Sequence, residues 1–254
     1  MPRLKLTIAY VGTHYHGWQI QALANKEDPP TVQAFVEAAV EHVAGRKTHV
    51  QCAGRTDTGV HAADFYAHFE TEQELSEANL TQLTFKANSF LSDDIRIYRI
   101  FMVNNDVHAR FSTTARTYQY HVSNVKQPFG KDFCHRVFYN PDIEMMNKAA
   151  NILFEYTDFT SFSKLHTQTA TNNCTILYAR WDMVGEEYVF TISANRFLRN
   201  MVRAITGTLL EVGRGKLSLD DFRKVIESKN RCNAGTSLPA KALFLTKVEY
   251  EGVL

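Results

Sequence analysis

Residues 54 to 61 of the chain, Gly-Arg-Thr-Asp-Thr-Gly-Val-His, place side chains used in nucleophilic and acid-base chemistry within one short stretch. The Asp-Thr-Gly tripeptide at its centre also carries the catalytic carboxylate of aspartic proteases. Those enzymes need two carboxylates that share one proton, and this sequence holds one such tripeptide. Arg55 lies two residues before Asp57, and a nearby guanidinium favours a fully ionised carboxylate. A homodimer would supply a second carboxylate, so a dimeric aspartic protease ranks third among our hypotheses.

The same stretch also fits a simple turn between two strands. In that interpretation Gly54 and Gly59 have positive φ and the Asp57 side chain caps a backbone amide. A rigid turn between apolar strands is also a place where proteins present a functional carboxylate. The density of Arg, Thr, Asp and His in these eight residues favours the functional interpretation.

The flanking pattern predicts the elements that must position this stretch. Apolar alternation and helix-end signals predict two successive sets of strands and helices. The first set is β-α-β-β-α-β, with strands at 4–10, 48–53, 61–70 and 95–103 and helices at 31–45 and 76–89. The second set has strands at 116–122, 175–183, 187–194 and 242–250 and helices at 142–154, 196–211 and 219–228.

This order predicts an α+β fold. We expect two α/β halves of the ferredoxin-like or RRM-like β-α-β-β-α-β type, joined through a mixed, mainly antiparallel sheet. The helices are expected to pack on one face, with an active-site cleft between the halves. The predicted domains are 1–107, which carries the Asp57 loop, and 108–254.

Composition narrows the class of protein. The 254 residues are 44% hydrophobic and no segment approaches the roughly 20 apolar residues of a membrane span. We therefore expect a cytoplasmic protein without a membrane anchor. The four cysteines are widely separated and form no Cys-x-x-Cys pair, so neither a metal site nor a disulfide framework is predicted. The formal net charge is +1, so any polyanionic partner must be bound by locally clustered charge.

The stretch "GRTDTGVHA" (54–62) resembles the signature of the TruA family of tRNA pseudouridine synthases. Further blocks resemble the family in family order and cover essentially the whole chain: "YVGTHYHGWQIQ" (10–21), "TVQAFVEAA" (31–39), "DDIRI" (93–97), "HARFSTTARTYQYHV" (108–122), "DFTSFS" (158–163), "ANRFLRNMVRAITGTLLEVG" (194–213) and "LPAKALFLTKVEY" (238–250). Three places depart from the family pattern. Val11 stands where Asp is common, Asp64-Phe65 replaces a usual Gly-Gln, and Ala242 replaces a usual Gly.

The resemblance implies an isomerase that converts uridine to pseudouridine at positions 38 to 40 in the anticodon stem-loop of tRNA. It also implies a homodimer in which one tRNA touches both subunits. The reaction breaks the bond from uracil N1 to ribose C1′ and rejoins the base through C5, so it requires no cofactor and no metal. Asp57 is implied as the catalytic carboxylate, and attack on the sugar, electrostatic assistance and proton abstraction all remain open for it.

The resemblance also implies roles for residues elsewhere. Tyr118 is implied as the aromatic that packs on the target uracil, and Arg203 as the partner of the catalytic aspartate. Arg196, Arg199 and Arg203 recur at steps of three and four, which predicts one shared helical face. Arg196 and Arg199 are candidates for phosphate contacts.

His61 and Arg55 complete the predicted site. His61 is expected to support the turn as a neutral imidazole beside the substrate, and Arg55 to keep Asp57 ionised. Two plainer interpretations stay open from the residues alone: an ordinary strand tyrosine at Tyr118 and a solvated charged face for the arginines. The second-ranked function is a noncatalytic RNA-binding α/β module, which only an activity assay distinguishes from the enzyme.

Overall fold

The polypeptide divides into two compact units in the computed structural model, which describes residues 1–21, 29–72, 74–164 and 171–251. Unit 1 contains Met1–Thr114 and Leu245–Leu254, and unit 2 contains Ala115–Phe244. In chain order the strands and helices are β1 (Arg3–Tyr10), α1 (Val32–Ala44), β2 (Gln51–Cys52), β3 (His61–Glu70), α2 (Glu77–Phe90), β4 (Ile95–Val103), β5 (Thr113–Ser123), β6 (His135–Arg136), α3 (Ile143–Ile152), β7 (Ile176–Val184), β8 (Glu187–Ala194), α4 (Met201–Gly213), α5 (Leu219–Glu227) and β9 (Leu243–Tyr250).

Unit 1 is built on strands in the order β4-β1-β3-β9, with β2 beside β3. The pairs that β1 forms with β3 and β4 are antiparallel. Leu4, Leu6 and Ile8 alternate along β1 and are fully buried, as expected for a strand with one face in the core. The predicted β-α-β-β-α-β order is confirmed for this unit.

Unit 2 has strands in the order β5-β8-β7, with β6 beside β5. The β5–β8 and β7–β8 pairs are antiparallel, and β5–β6 is parallel. Helix α4 is buried along nearly its whole length, including Ile205 and Leu209. The predicted α+β class with mainly antiparallel strands is confirmed. Of the helices in the described ranges, none has the length and apolar character that a membrane crossing requires.

The start of α4 differs from the prediction. The helix begins at Met201, because Asn200 before it has φ +68°, in the left-handed region. Asn tolerates this conformation, but a right-handed helix cannot continue through it. Arg196 and Arg199 therefore precede the helix, and the predicted shared helical face of Arg196, Arg199 and Arg203 is wrong.

Unit 1 buries a lysine. Lys5 has no exposed surface, and its Nζ lies 3.2 Å from the ring centroid of Tyr250 and 4.3 Å from that of Tyr66. Burial lowers the pKa of Lys5 to about 8, and the charge of Asp64 partly opposes this shift. Asp64 itself accepts a hydrogen bond from the backbone N–H of Val248 at 3.2 Å. The departure from the family pattern at Asp64 thus places a carboxylate near a buried cation.

We expect the stability of the wild type relative to Lys5→Met to rise with pH above about 8. The folded-state pKa of about 8 lies below the ordinary lysine value of 10.5. Between these values the unfolded chain binds more protons than the folded chain, so the free energy of unfolding rises with pH. At about 1.4 kcal/mol per pH unit, the difference in unfolding free energy should grow by about 2 kcal/mol between pH 8 and 10.

Urea denaturation of both proteins across this pH range measures the effect. The neighbouring Tyr66, whose pKa burial raises to about 12, is present in both and cancels in the comparison. A difference that stays constant from pH 8 to 10 would contradict the depressed pKa of Lys5.

Candidate active site

The loop between β2 and β3 carries Asp57, and its neighbour Thr56 is anchored. Thr56 is buried, with its Oγ1 2.7 Å from the hydroxyl of Tyr10. The carbonyl of Thr56 accepts a hydrogen bond from the N–H of Trp18 at 3.3 Å. The residue before Asp57 is thus bonded through both its side chain and its backbone.

The backbone after Asp57 is also fixed. The carbonyl of Asp57 accepts a hydrogen bond from the N–H of Val60 at 3.1 Å, and the N–H of Gly59 donates to the carbonyl of Tyr15 at 3.3 Å. Gly59 has φ +78°, as the turn interpretation predicts, but Gly54 has no positive φ and that part of the prediction is wrong. Asp57 itself remains partly exposed, so the structure presents the carboxylate on a rigid turn.

Two glycines of the segment after β1 allow close approach to this loop. A Cβ at Gly17, whose φ is +85°, would lie 2.4 Å from the carbonyl oxygen of Thr56. A Cβ at Gly12 would lie 2.0 Å from the carbonyl oxygen of Val60. Both distances are far below van der Waals contact, so only glycine fits. The sequence pattern did not identify these positions as loop supports, although both lie in the 10–21 block that resembles the family.

An aromatic cluster lies behind the loop. Phe65 is fully buried, with its ring centroid 4.3 Å from that of Trp18 and 5.5 Å from that of Tyr10. Trp18 and Tyr10 are the residues that bond to Thr56. The family departure at Phe65 therefore contributes a packed ring to the support of the Asp57 loop.

His61 links the loop to the segment after β1. It is buried, and its Nδ1 accepts a hydrogen bond from the N–H of Gly12 at 3.0 Å. A ring nitrogen that accepts a hydrogen bond carries no proton, so the imidazole is neutral. This geometry agrees with the predicted support of the turn, and contact of His61 with substrate stays a prediction.

Tyr118 lies in unit 2, in the middle of β5 opposite Ile192 of β8. Its side chain is largely buried, and its ring meets that of Phe197 edge-on, with centroids 5.2 Å apart and an interplanar angle of 90°. The edge contact fixes the orientation of the Tyr118 ring.

Arg203 extends from the first turn of α4 and is half-buried. Its Nε donates a hydrogen bond to the carbonyl of Leu238 at 2.5 Å, and the N–H of Leu238 donates to the carbonyl of Arg203 at 3.3 Å. Burial raises the pKa of Tyr120, and the positive charge of Arg203 partly opposes this rise. The hydroxyl of Tyr120 donates to the carbonyl of Pro239 at 2.8 Å. The segment around Leu238 therefore positions the Arg203 guanidinium near the buried end of Tyr120.

The other predicted arginines lie nearer to solvent. Arg55 and Arg199 are exposed and Arg196 is partly exposed. The carbonyl of Arg199 accepts a hydrogen bond from the N–H of Lys164 at 3.1 Å. Burial raises the pKa of Cys174 to about 11, and the charge of Arg196 partly opposes this shift. Unit 1 thus contains Arg55, Asp57 and His61, and unit 2 contains Tyr118, Arg196, Arg199 and Arg203.

Comparison with known proteins identifies the class. A family model described as tRNA pseudouridine synthase matches residues 6–111 and 149–251. Proteins named tRNA pseudouridine synthase A are similar over nearly the whole chain. One from Bacteroides thetaiotaomicron is 52% identical over 253 residues, covering 98% of this chain and 91% of its own. One from Bacteroides fragilis is 51% identical over 249 residues, covering 98% and 96%, and one from Exiguobacterium sp. is 34% identical over 253 residues, covering 100% of both.

This chain belongs to the tRNA pseudouridine synthase family. It is an isomerase, and the sequence-based prediction of a pseudouridine synthase is confirmed.

Proposed function

We propose that the enzyme converts uridines 38 to 40 in the anticodon stem-loop of tRNA to pseudouridine, with Asp57 as the catalytic carboxylate. One observation carries the assignment of Asp57. Its turn is held by hydrogen bonds with Tyr10, Tyr15 and Trp18, while the residue itself stays partly exposed. A rigid support and an accessible carboxylate are what a catalytic group requires.

The reaction explains why this group must be an ionised carboxylate. The bond from uracil N1 to ribose C1′ breaks, the base turns, and a bond forms from C5 to C1′ as C5 loses its hydrogen and N1 gains one. A carboxylate can attack the sugar carbon, remove a proton, or stabilise charge as the uracil leaves. Each role uses the negative charge of Asp57. We propose that Arg203 and Arg55 favour this ionised form.

The remaining predicted residues hold the substrate in this proposal. Tyr118 packs against the extruded uracil, since a stacked base must leave its neighbours before its sugar can be reached. Arg196 and Arg199 contact phosphates, which their exposure allows. His61 lies beside the substrate and supports the turn. The proposal includes a cytoplasmic homodimer in which one tRNA touches both subunits.

Release of tritium tests the proposed function. The enzyme is incubated with tRNA that carries tritium at C5 of its uridines, and tritium in water is counted. We expect release from a wild-type tRNA, and none when uridines 38 to 40 are replaced by cytidines. Tight binding without release would favour the noncatalytic RNA-binding module, and release that persists after the replacement would place the target elsewhere in the tRNA.

We expect Tyr118→Leu to lower kcat by about 5- to 150-fold, because stacking of a base on an aromatic ring contributes about 1–3 kcal/mol. The affinity for tRNA should change less than kcat, since many other contacts bind the tRNA. Tyr118→Phe is the matched control, which keeps the ring and removes the hydroxyl. Tritium release near the wild-type rate from Tyr118→Leu would remove Tyr118 from the site.

A further inference from the structure

Unit 2 contains a pocket of about 290 Å³ at the end of β5. Its lining includes four cationic side chains together with a serine and a cysteine: Lys126, Lys131, Arg136, Lys241, Ser123 and Cys134. The volume lies near the lower end of the about 300–1,000 Å³ of ligand pockets. We call it the basic pocket. None of the residues to which the proposed function assigns a role lines it.

The basic pocket has more cationic than anionic side chains around it. Within the described ranges, the side chains of Lys126, Lys131 and Arg136 form no ion pair, and all three residues are exposed. Two carboxylates lie beside the pocket: Glu187 pairs with His121 at 2.7 Å, and Glu186 accepts a hydrogen bond from the pocket residue Gln127 at 3.3 Å. The whole chain has a net charge of only +1, but a cluster of cations such as this one attracts anions locally.

The pocket is built to bind rather than to react. Burial raises the pKa of the Cys134 thiol to about 12, and the negative charge of Glu187 adds to the rise. A protonated thiol is a poor nucleophile. The hydroxyl of Ser123 donates its hydrogen to the carbonyl of Glu186 at 3.0 Å. Neither residue is therefore prepared for nucleophilic attack.

Exposed aromatic rings accompany these cations. Phe129 is fully exposed and Phe138 is 84% exposed, and the guanidinium of Arg136 lies 4.8 Å from the ring centroid of Phe138. Phe129 and Phe138 lie in the same 123–138 stretch as three of the pocket cations. Cations interleaved with exposed aromatic rings are typical of surfaces that bind nucleic acid.

The basic pocket and Tyr118 share strand β5. Ser123 follows Tyr118 by five residues on β5, about 17 Å at 3.3–3.4 Å per residue. That distance corresponds to roughly five stacked nucleotides at about 3.4 Å each. Lys241 follows Leu238, the partner of Arg203, by three residues. Side chains five residues apart on a strand point to opposite faces of the sheet, so an RNA strand with its target base at Tyr118 would have to pass the end of β5 to place a phosphate in the pocket.

We propose that the basic pocket binds backbone phosphates of the substrate RNA several nucleotides from the target uridine. The identity of the RNA rests on the proposed function. Residues 123–136 lie between the two ranges, 6–111 and 149–251, that the family model matches. Three of the four pocket cations thus lie outside the matched ranges, and Lys241 lies within them.

Neutralising the pocket tests this proposal. We expect the triple variant Lys126→Gln, Lys131→Gln, Arg136→Gln to raise the Kd for unmodified tRNA by about tenfold at about 0.1 M salt. The slope of log Kd against log salt should fall by about 0.7–0.9 for each lost phosphate contact. The value of kcat at saturating tRNA should stay at the wild-type level, since no catalytic group is changed.

The matched control removes the same charge elsewhere. Lys47→Gln, Lys86→Gln and Lys148→Gln together change three exposed lysines outside the pocket, and we expect them to change Kd by less than about twofold. Lys126→Arg with Lys131→Arg keeps the charge and should retain wild-type affinity. Equal weakening by the two triple variants, or no weakening by the pocket triple, would overturn the proposal.

A small phosphorylated compound would offer the pocket the same phosphate group as an RNA backbone does. Inorganic phosphate and uridine monophosphate serve as probes in isothermal titration. Binding of either probe that the pocket triple abolishes while tRNA affinity stays unchanged would also overturn the proposal. Wild-type protein that releases no tritium would instead contradict the proposed function, and the binding comparison would still decide whether RNA occupies the pocket.

Discussion

Asp57→Asn is expected to lower kcat for pseudouridine formation by at least about 10⁴-fold, the scale of loss when a nucleophile is removed from an enzyme. The substitution keeps the size and most of the hydrogen-bonding capacity of the side chain, but a neutral amide can neither attack the sugar nor stabilise departing uracil by its charge. A side chain that only caps a backbone amide would be replaced well by Asn. The protein should therefore stay folded and still bind tRNA.

Single-turnover release of C5 tritium measures the loss, and mass spectrometry of the purified variant excludes deamidation of Asn back to Asp. Asp106→Asn is the matched control, because Asp106 is an exposed acidic residue of the same unit outside the loop. A rate for Asp57→Asn near that of Asp106→Asn would make Asp57 a capping residue only.

Gly17→Ala is expected to destabilise the protein by about 2–5 kcal/mol and to lower activity with it. The φ of +85° costs a residue with a Cβ about 1–2 kcal/mol. The Cβ would also lie 2.4 Å from the carbonyl oxygen of Thr56, and overpacking of this kind costs typically about 1–3 kcal/mol. Relief of the clash must move Thr56, and Asp57 moves with it.

Gly45→Ala separates the two causes. Gly45 has φ +68°, but a Cβ there would meet nothing within 4 Å, so this variant reports the backbone penalty alone. Urea denaturation and tritium release of both variants measure the effect. Equal destabilisation by the two, with full activity in Gly17→Ala, would show that the loop does not depend on the close approach.

Local patterns in the sequence account for most of the elements. Alternation of buried residues along β1 and the glycine that ends α1 are signals within a few residues, and both elements lie within one or two residues of their predicted ends. The predicted start of α4 was wrong for a specific reason. Arginine spacing from 196 to 203 suits a helix, but the left-handed Asn200 interrupts it, and the side chain of Asn200 bonds to Ser237, 37 residues away.

Only part of the candidate site could be predicted from local patterns in the sequence. The resemblance identified the stretch around Asp57, because its signature is contiguous. The supports of that stretch come from residues about 40 positions earlier, such as Gly17 and Trp18, and a single sequence does not show which distant backbones approach each other. The buried Lys5 shows the same limit, since its aromatic partner Tyr250 lies on the last strand.

Because β9 lies beside β3, unit 1 is assembled from two distant parts of the gene product. During translation the ribosome must make residues 115–244 before the strand that pairs with β3 appears. At about 5–20 residues per second, that takes roughly 7 to 26 s. During this interval the part of β3 that β9 later covers is unpaired, and such an edge is prone to associate with other strands. Newly made chains of this enzyme are therefore expected to need protection by chaperones until the last strand leaves the ribosome.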